Sequence, residues 1–282
     1  MGIVINTNVN SILVQRSLNT AASNIGKSLQ RLSTGSRINS AADDAAGLTI
    51  SQSLDSQARG SQVASQNAQA GVNLLQTAEG DLGIIQDNLQ RVRELTVQAA
   101  NDTNGTAERT AIEGEVTQRM DEVDRLSKAS KFNSIKLLDG SASVQFHIGA
   151  DAAASTNALD ITKGSNNPLG KATASALGVN ITAGKTLASA SAASSFITKL
   201  DTAIAKISTR RSTIGSMQNR LDSAVQSLSV KYANMSASES RIKDTDVASE
   251  AASLTKNQIL QQASATLLAQ ANSAPQVALS LI

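Results

Sequence analysis

Residues 68–99 read AQAGVNLLQTAEGDLGIIQDNLQRVRELTVQA. Ala68, Val72, Leu75, Ala78, Leu82, Ile85, Leu89, Val92 and Ala99 fall on one stripe in steps of three and four, with Thr96 its one polar member. That is the period of a helix laid against another helix. The surrounding stretch from Ala42 to Ala100 contains no proline. An unbroken helix over it would run roughly 90 Å at about 1.5 Å per residue. Gly47, Gly60, Gly71, Gly80 and Gly83 are the positions where it could bend. A rod of that length exceeds what a compact domain needs and predicts a structural or assembly role. An ordinary helical bundle stays open at this point.

The composition narrows the chemistry. With 282 residues the chain can form one or two domains with a real core. Aromatic residues make up 1 % of it, three Phe with Tyr232 and no Trp, so Ala and Ser do much of the filling. Small side chains suit close helix–helix contact. Pro168 and Pro275 are the only prolines, which leaves helices free to run on. The 25 basic and 23 acidic residues are interspersed and sum to +2, too balanced for a nucleic-acid footprint. The absence of cysteine excludes disulfides, thiolate zinc sites and cysteine nucleophiles. His147 is the single histidine, so a multi-histidine metal site is impossible and a Ser-His-Asp triad would depend on it. It lies in the alternating run Val144 to Ile148, on the polar face of an expected strand. No catalytic residue, metal or cofactor is expected. No segment approaches 18 apolar residues, so no membrane span is expected. The start, MGIVINTNVNSILVQRSLN, lacks a basic n-region and does not read as a cleavable signal.

Outward from the rod, Val14, Leu18, Ala22, Ile25, Leu29 and Leu32 predict a first helix, with Ile3, Val4, Ile5 and Ile12 adding apolar surface off its stripe. It should stop at Thr34-Gly35, where glycine can take a left-handed conformation. Ser36 to Ala42 reads as a linker, and Asp43 and Asp44 suit the start of the rod. NDTNG at 101–105 is a turn, Thr106 a candidate N-cap, and a helix follows from about Ala107 to Ser130. Ile112, Val116, Met120, Val123 and Leu126 form its buried side, packed antiparallel to the rod. Residues 131–190 predict a small β-hairpin, Val144/Phe146/Ile148 with Leu159/Ile161, and then loose surface chain. Helical periodicity returns near Ser191 through Leu200, Ile204, Ile207, Ile214, Leu221, Val225, Leu228, Tyr232 and Met235, interrupted by Arg211 and Gln218. A last arm from about Ala237 carries Val247, Leu254, Ile259, Leu260, Leu267 and Leu268, with Pro275 ending its helix ahead of a short apolar tail. The expected fold is mainly α: a long-helix antiparallel bundle or coiled coil with a small β-hairpin, the terminal helices forming a second coiled-coil domain. One hairpin of helices cannot bury apolar residues that point several ways. The arms should therefore be poorly ordered alone and fold against copies of themselves.

Several of these runs resemble bacterial flagellins: QRLSTGSRINSAADDAAGLTI at 30–50, QRVREL at 90–95, EVTQRMDEVDRL at 115–126, QNRL at 218–221, RIKDTD at 241–246, ILQQA at 259–263 and PQVALSLI at 275–282. The resemblance implies a self-polymerising filament subunit for swimming motility. Residues 1–43 and 237–282 would form an inner-tube arm domain, and 44–236 a helical bundle including a variable segment at 140–190. No outer inserted domain is expected. Val14, Leu18, Ile25, Leu29, Leu32, Leu254, Ile259, Leu260, Leu267 and Leu268 would be the polymerising arm residues. The family leaves the cell unfolded through flagellar type III export, to an extracellular filament. The implied partners are a flagellin export chaperone, the flagellar cap and the hook-junction proteins. Gln90, Arg91, Arg93, Leu95 and Glu115 match the surface contacted by the vertebrate Toll-like receptor for flagellin. Gln30, Arg31, Leu32, Ser33, Arg37, Asp43, Asp44 and Gly47 fall in the peptide perceived by a plant flagellin receptor, with Ala42 where that peptide commonly has lysine. A hook–filament junction protein of the same architecture is the nearest rival. The zinc protease inserted in some flagellins needs two histidines, which this chain lacks.

Overall fold

The computed structural model describes residues 7–151, 157–162 and 167–279, with 274–279 described by backbone alone. In chain order the elements are α1 (Val9–Thr34), α2 (Ala45–Ala99), α3 (Thr106–Ala129), β1 (Lys131–Phe132), β2 (Ile135–Lys136), β3 (Gln145–His147), β4 (Ala158–Asp160), α4 (Ala174–Leu177), α5 (Ala190–Lys243) and α6 (Val247–Leu279). Contacts divide the chain into two units, one of residues 57–233 and one of residues 1–56 with 234–282. No helix among the described residues is long and apolar enough to cross a membrane.

The 57–233 unit is built on α2. Every residue of the predicted stripe, Ala68 through Ala99, is at most 4 % exposed. Thr96 is tolerated there because its hydroxyl donates to Val92 O at 2.7 Å, which leaves no polar atom unpaired. The helix is unbroken, so its glycines are not bends. A Cβ on Gly71 would sit 3.1 Å from the Phe146 ring and 3.2 Å from Leu221. One on Gly60 would sit 3.0 Å from the Ala150 Cβ. These two positions are bare so that other chain can lie against them.

Side-chain pairs fix the helix directions. Arg109 Nε donates to Ala99 O (3.0 Å), Glu115 lies 3.9 Å from Arg91, and Ser130 Oγ donates to Asp81 (2.5 Å). As α3 advances, α2 recedes, so the two are antiparallel. Likewise Asp201 pairs with Arg93 (2.6 Å), Arg211 with Gln86 (3.0 Å) and Gln218 with Glu79 (3.3 Å), which sets α5 antiparallel to α2. Val116, Met120 and Val123 of α3 and Phe196, Leu200, Ile207, Ile214 and Leu221 of α5 join the α2 stripe in one core.

Five expectations need correction. Helix α3 starts at Thr106 itself, with extended Gly105 as its N-cap, so Thr106 does not cap it. Residues 167–190, expected as loose chain after the hairpin, are not loose: Leu169, Leu177, Val179 and Leu187 are at most 1 % exposed in the same core, as are Leu137, Leu138 and Ile161. The segment's anchors are polar bonds to the helices, Ala174 N to Asp124 (2.6 Å), Gly184 N to Glu113 (3.0 Å) and Arg210 Nη1 to Gly170 O (2.9 Å). Burial pushes the Arg210 guanidinium below its ordinary pKa. The expected hairpin forms, with Phe146 opposite Leu159, but a second, β1–β2, precedes it and turns at Asn133 with φ 51°. Finally, α5 runs on to Lys243, and α6 continues through Pro275 to Leu279, so the proline does not end it.

The other unit pairs α1 with α6 in opposite directions, Ser11 with Asn272 (2.8 Å) at one end and Arg31 with Glu250 (3.5 Å) at the other. Helix α1 stops where expected, at Gly35 with φ 70°. The linker behind it is fastened to the α5–α6 break: Arg37 N donates to Lys243 O (2.6 Å) and Thr245 N to Gly35 O (2.9 Å). Asp44 starts α2 by accepting from Gly47 N at 2.8 Å, and Asp246 starts α6 by accepting from Ala248 N at 3.0 Å. Ile3, Val4 and Ile5 and the apolar side chains beyond Ser273 lie outside the described residues.

Candidate functional site

Helices α1 and α6 meet through small residues. Among their described residues, those buried are Ala21, Ser28 and Ser264. Val14, Leu18, Ile25 and Leu32 of α1, with Leu254 and Leu268 of α6, are half-buried. The remaining predicted arm residues are open to solvent: Leu29 53 %, Ile259 61 %, Leu260 46 % and Leu267 57 %. Val9, Ile12, Leu13 and Val247 are as exposed. Ile259, Leu260, Ala263 and Leu267 recur at spacings of one, three and four, which places them together on one side of α6. Leu13 and Leu260 also line a groove of about 400 Å³ between the helices, with Arg16, Thr20, Asn24 and Asn257. A two-helix unit showing this many large aliphatics presents an apolar surface of the kind that marks protein–protein contact.

The QRVREL run gives a different surface. Gln90 and Arg91 are exposed, and Arg93 and Glu115 half-exposed. Arg91 Nη1 holds Glu94 at 2.8 Å, and Glu115 is shared between Arg91 (3.9 Å) and Arg119 (3.2 Å). The Glu94 bond, aided by Glu115, raises the Arg91 pKa further, and Asp201 does the same for Arg93. Leu95 does not belong to this surface. It is 4 % exposed and packs in the core, because three residues after Val92 and one before Thr96 it borders the buried stripe.

The 30–50 run is mostly a connector. Gln30, Ser33, Arg37, Asp43 and Asp44 are exposed, Arg31 and Leu32 half-buried, and Gly47 buried. A Cβ on Gly47 would collide with the Asp44 carboxylate and with Ile38 at 2.8 Å, so the cap itself demands glycine. Asp43 accepts from Ser40 Oγ at 2.9 Å and from Ser40 N at 3.0 Å, and these bonds hold its carboxyl below the ordinary pKa. The capping by Asp44 followed from its position. The fastening of Arg37 to Lys243, some two hundred residues away, had no signal in the sequence.

His147 is exposed on β3, with Nε2 3.0 Å from Asp151 O. No group of three or more His, Asp or Glu side chains that could hold a metal is present among the described residues.

Comparison with known proteins matches both ends of the chain. The family description "Bacterial flagellin N-terminal helical region" matches residues 5–143, and "Bacterial flagellin C-terminal helical region" matches residues 197–282. The chain is 39 % identical to the flagellar filament 33 kDa core protein of Treponema phagedenis, over 99 % of both chains. It is 38 % identical to the flagellin of Halalkalibacterium halodurans, again over 99 % of both. A solved structure of a putative flagellar hook-associated protein from Vibrio parahaemolyticus matches 72 % of this chain and all of its own, with a TM-score of 0.57 at 14 % identity, a likeness of fold.

Proposed function

The chain belongs to the bacterial flagellins and is a structural subunit of the flagellar filament, and from that premise we propose how it assembles. The arm helices α1 and α6 bury their exposed faces against the same helices of neighbouring subunits, forming an inner tube. The 44–236 segment forms the outer bundle. The observation that carries this reading is the set of large aliphatics left open on α1 and α6, Ile259 and Leu267 foremost. At about 1.5–3 kcal/mol for each such side chain fully buried, neighbours supply a driving force that the lone hairpin lacks.

The same economy suits a chain exported unfolded through the flagellar type III channel to an extracellular filament. Arms of low stability offer little to unfold, and a chain without cysteine cannot be trapped by a disulfide. A flagellin export chaperone would cover the apolar C-terminal arm before export, and the flagellar cap and hook-junction proteins would meet the arms during growth. Gln90, Arg91, Arg93 and Glu115 form the surface we assign to the host Toll-like receptor for flagellin. Leu95 supports it from beneath. For a plant flagellin receptor the reach is narrower, since within 30–50 the Asp44 and Gly47 positions are committed to starting α2.

Circular dichroism of dilute soluble chain and of sedimented fibres tests the coupling of arm folding to assembly. Helical signal should rise on polymerisation. Arms fully helical in dilute monomer would contradict it. The junction-protein reading is separated by seeding: a filament subunit elongates fragments without limit, and a junction protein caps them.

A further inference from the structure

Asn8 closes two helix ends with one side chain. Its Oδ1 accepts from Ser11 N at 3.1 Å, the N-cap bond of α1. Its Nδ2 donates to Ala271 O at 2.7 Å, across the pair to α6. Ala271 lies four residues before Pro275, and α6 continues through that proline. Proline has no N–H, so the helix leaves the Ala271 carbonyl without its own donor. Asn8 supplies it from outside. The carboxamide orientation is fixed by this pairing, because a flip would set oxygen against carbonyl oxygen and NH₂ against N–H. Ser11 Oγ, donating to Asn272 Oδ1 at 2.8 Å, ties the same two turns a second time.

We infer that Asn8 is a clamp that makes the ordered start of α1 and the continuation of α6 past Pro275 a single event. Asn and Gln carry an acceptor and a donor side by side on one planar, uncharged carboxamide. Of these, Asn is the one favoured as an N-cap. Where the arms meet neighbouring copies, the clamp decides whether α6 reaches them as helix beyond residue 275. The inference depends on the subunit reading only for one of the two states in which it is measured.

The test is hydrogen exchange on the full chain, both soluble and in sedimented fibres, for wild type, Asn8→Asp, Pro275→Ala and the double variant. Aspartate keeps the acceptor for Ser11 N and suits a helix N-terminus, but cannot donate to Ala271 O. In Asn8→Asp, amides 276–279 should exchange about fivefold faster, the loss of one net hydrogen bond, while amides 11–13 keep their protection. Pro275→Ala restores an intrahelical donor to Ala271, so the double variant should return to within about twofold of Pro275→Ala alone. Unchanged exchange at 276–279 in Asn8→Asp overturns the clamp. So does an equal loss in the Pro275→Ala background, or full-speed exchange of 276–279 in every wild-type state. A wild type that makes no fibres contradicts the subunit reading instead, and the soluble chain still decides the clamp.

Discussion

Gly71 and Gly80 sit on the same helix and carry opposite expectations. A methyl on Gly80 meets nothing within 4 Å, whereas one on Gly71 meets Phe146 and Leu221. Gly80→Ala should stabilise the bundle by about 0.5–1 kcal/mol, the propensity difference alone. Gly71→Ala should cost about 1–3 kcal/mol from overpacking, net of that gain. Thermal unfolding of the two variants side by side checks both signs. Asp43 carries a pH expectation. Its carboxyl is held below its ordinary pKa first by the Ser40 hydroxyl bond. A depressed folded pKa means the contribution is complete above the unfolded carboxylate value and is lost as pH falls through the folded one. In a carboxyl titration followed by NMR, Ser40→Ala should move the Asp43 midpoint upward. An unmoved midpoint would mean the hydroxyl bond is not what holds it.

Among the elements, α2 was the most legible, because a buried stripe of small and aliphatic residues has a period that no other structure shares. The strand pair β3–β4 was legible for the same reason, with period two. What the periodicity could not show was the packing of residues 167–190 into the core. Their Leu, Ile and Val follow no repeat, and they are held by single polar bonds from Asp124, Glu113 and Arg210 to distant backbone. Pro275 misled for a similar reason, since a lone proline reads as a helix end unless something at long range serves the carbonyl it orphans. Arg211 and Gln218 interrupt the α5 seam at heptad spacing, and they face Glu79 and Gln86, themselves one heptad apart on α2. That polar layer explains the interruption: a shifted register would separate all four. Leu177→Ala should cost about 2–5 kcal/mol as a cavity in a packed core, against less than about 0.5 for a surface position. Denaturant unfolding of the variant distinguishes the two.

For the whole molecule, the family and the filament role were legible from motifs spread over both ends, as was the helical spacing of the arm residues. Their division was not. Val14, Leu18, Ile25, Leu32, Leu254 and Leu268 are half-buried, while Leu29, Ile259, Leu260 and Leu267 stay exposed. Helical spacing alone places residues on a face without saying which face has a partner within the chain. Of the five residues proposed for the Toll-like receptor surface, Leu95 is the buried one, and it lies beside the stripe that the spacing had drawn, not on it. The central claim is that the open side of α6 is the surface on which subunits join. Its most direct measurement is seeded elongation by a chain carrying Ile259→Ser, Leu260→Ser and Leu267→Ser, with thermal unfolding of the 57–233 unit as control. The critical concentration should rise about a hundredfold or more, at least about 3 kcal/mol of lost burial, with the bundle melting unchanged. Elongation at the wild-type critical concentration would contradict the account.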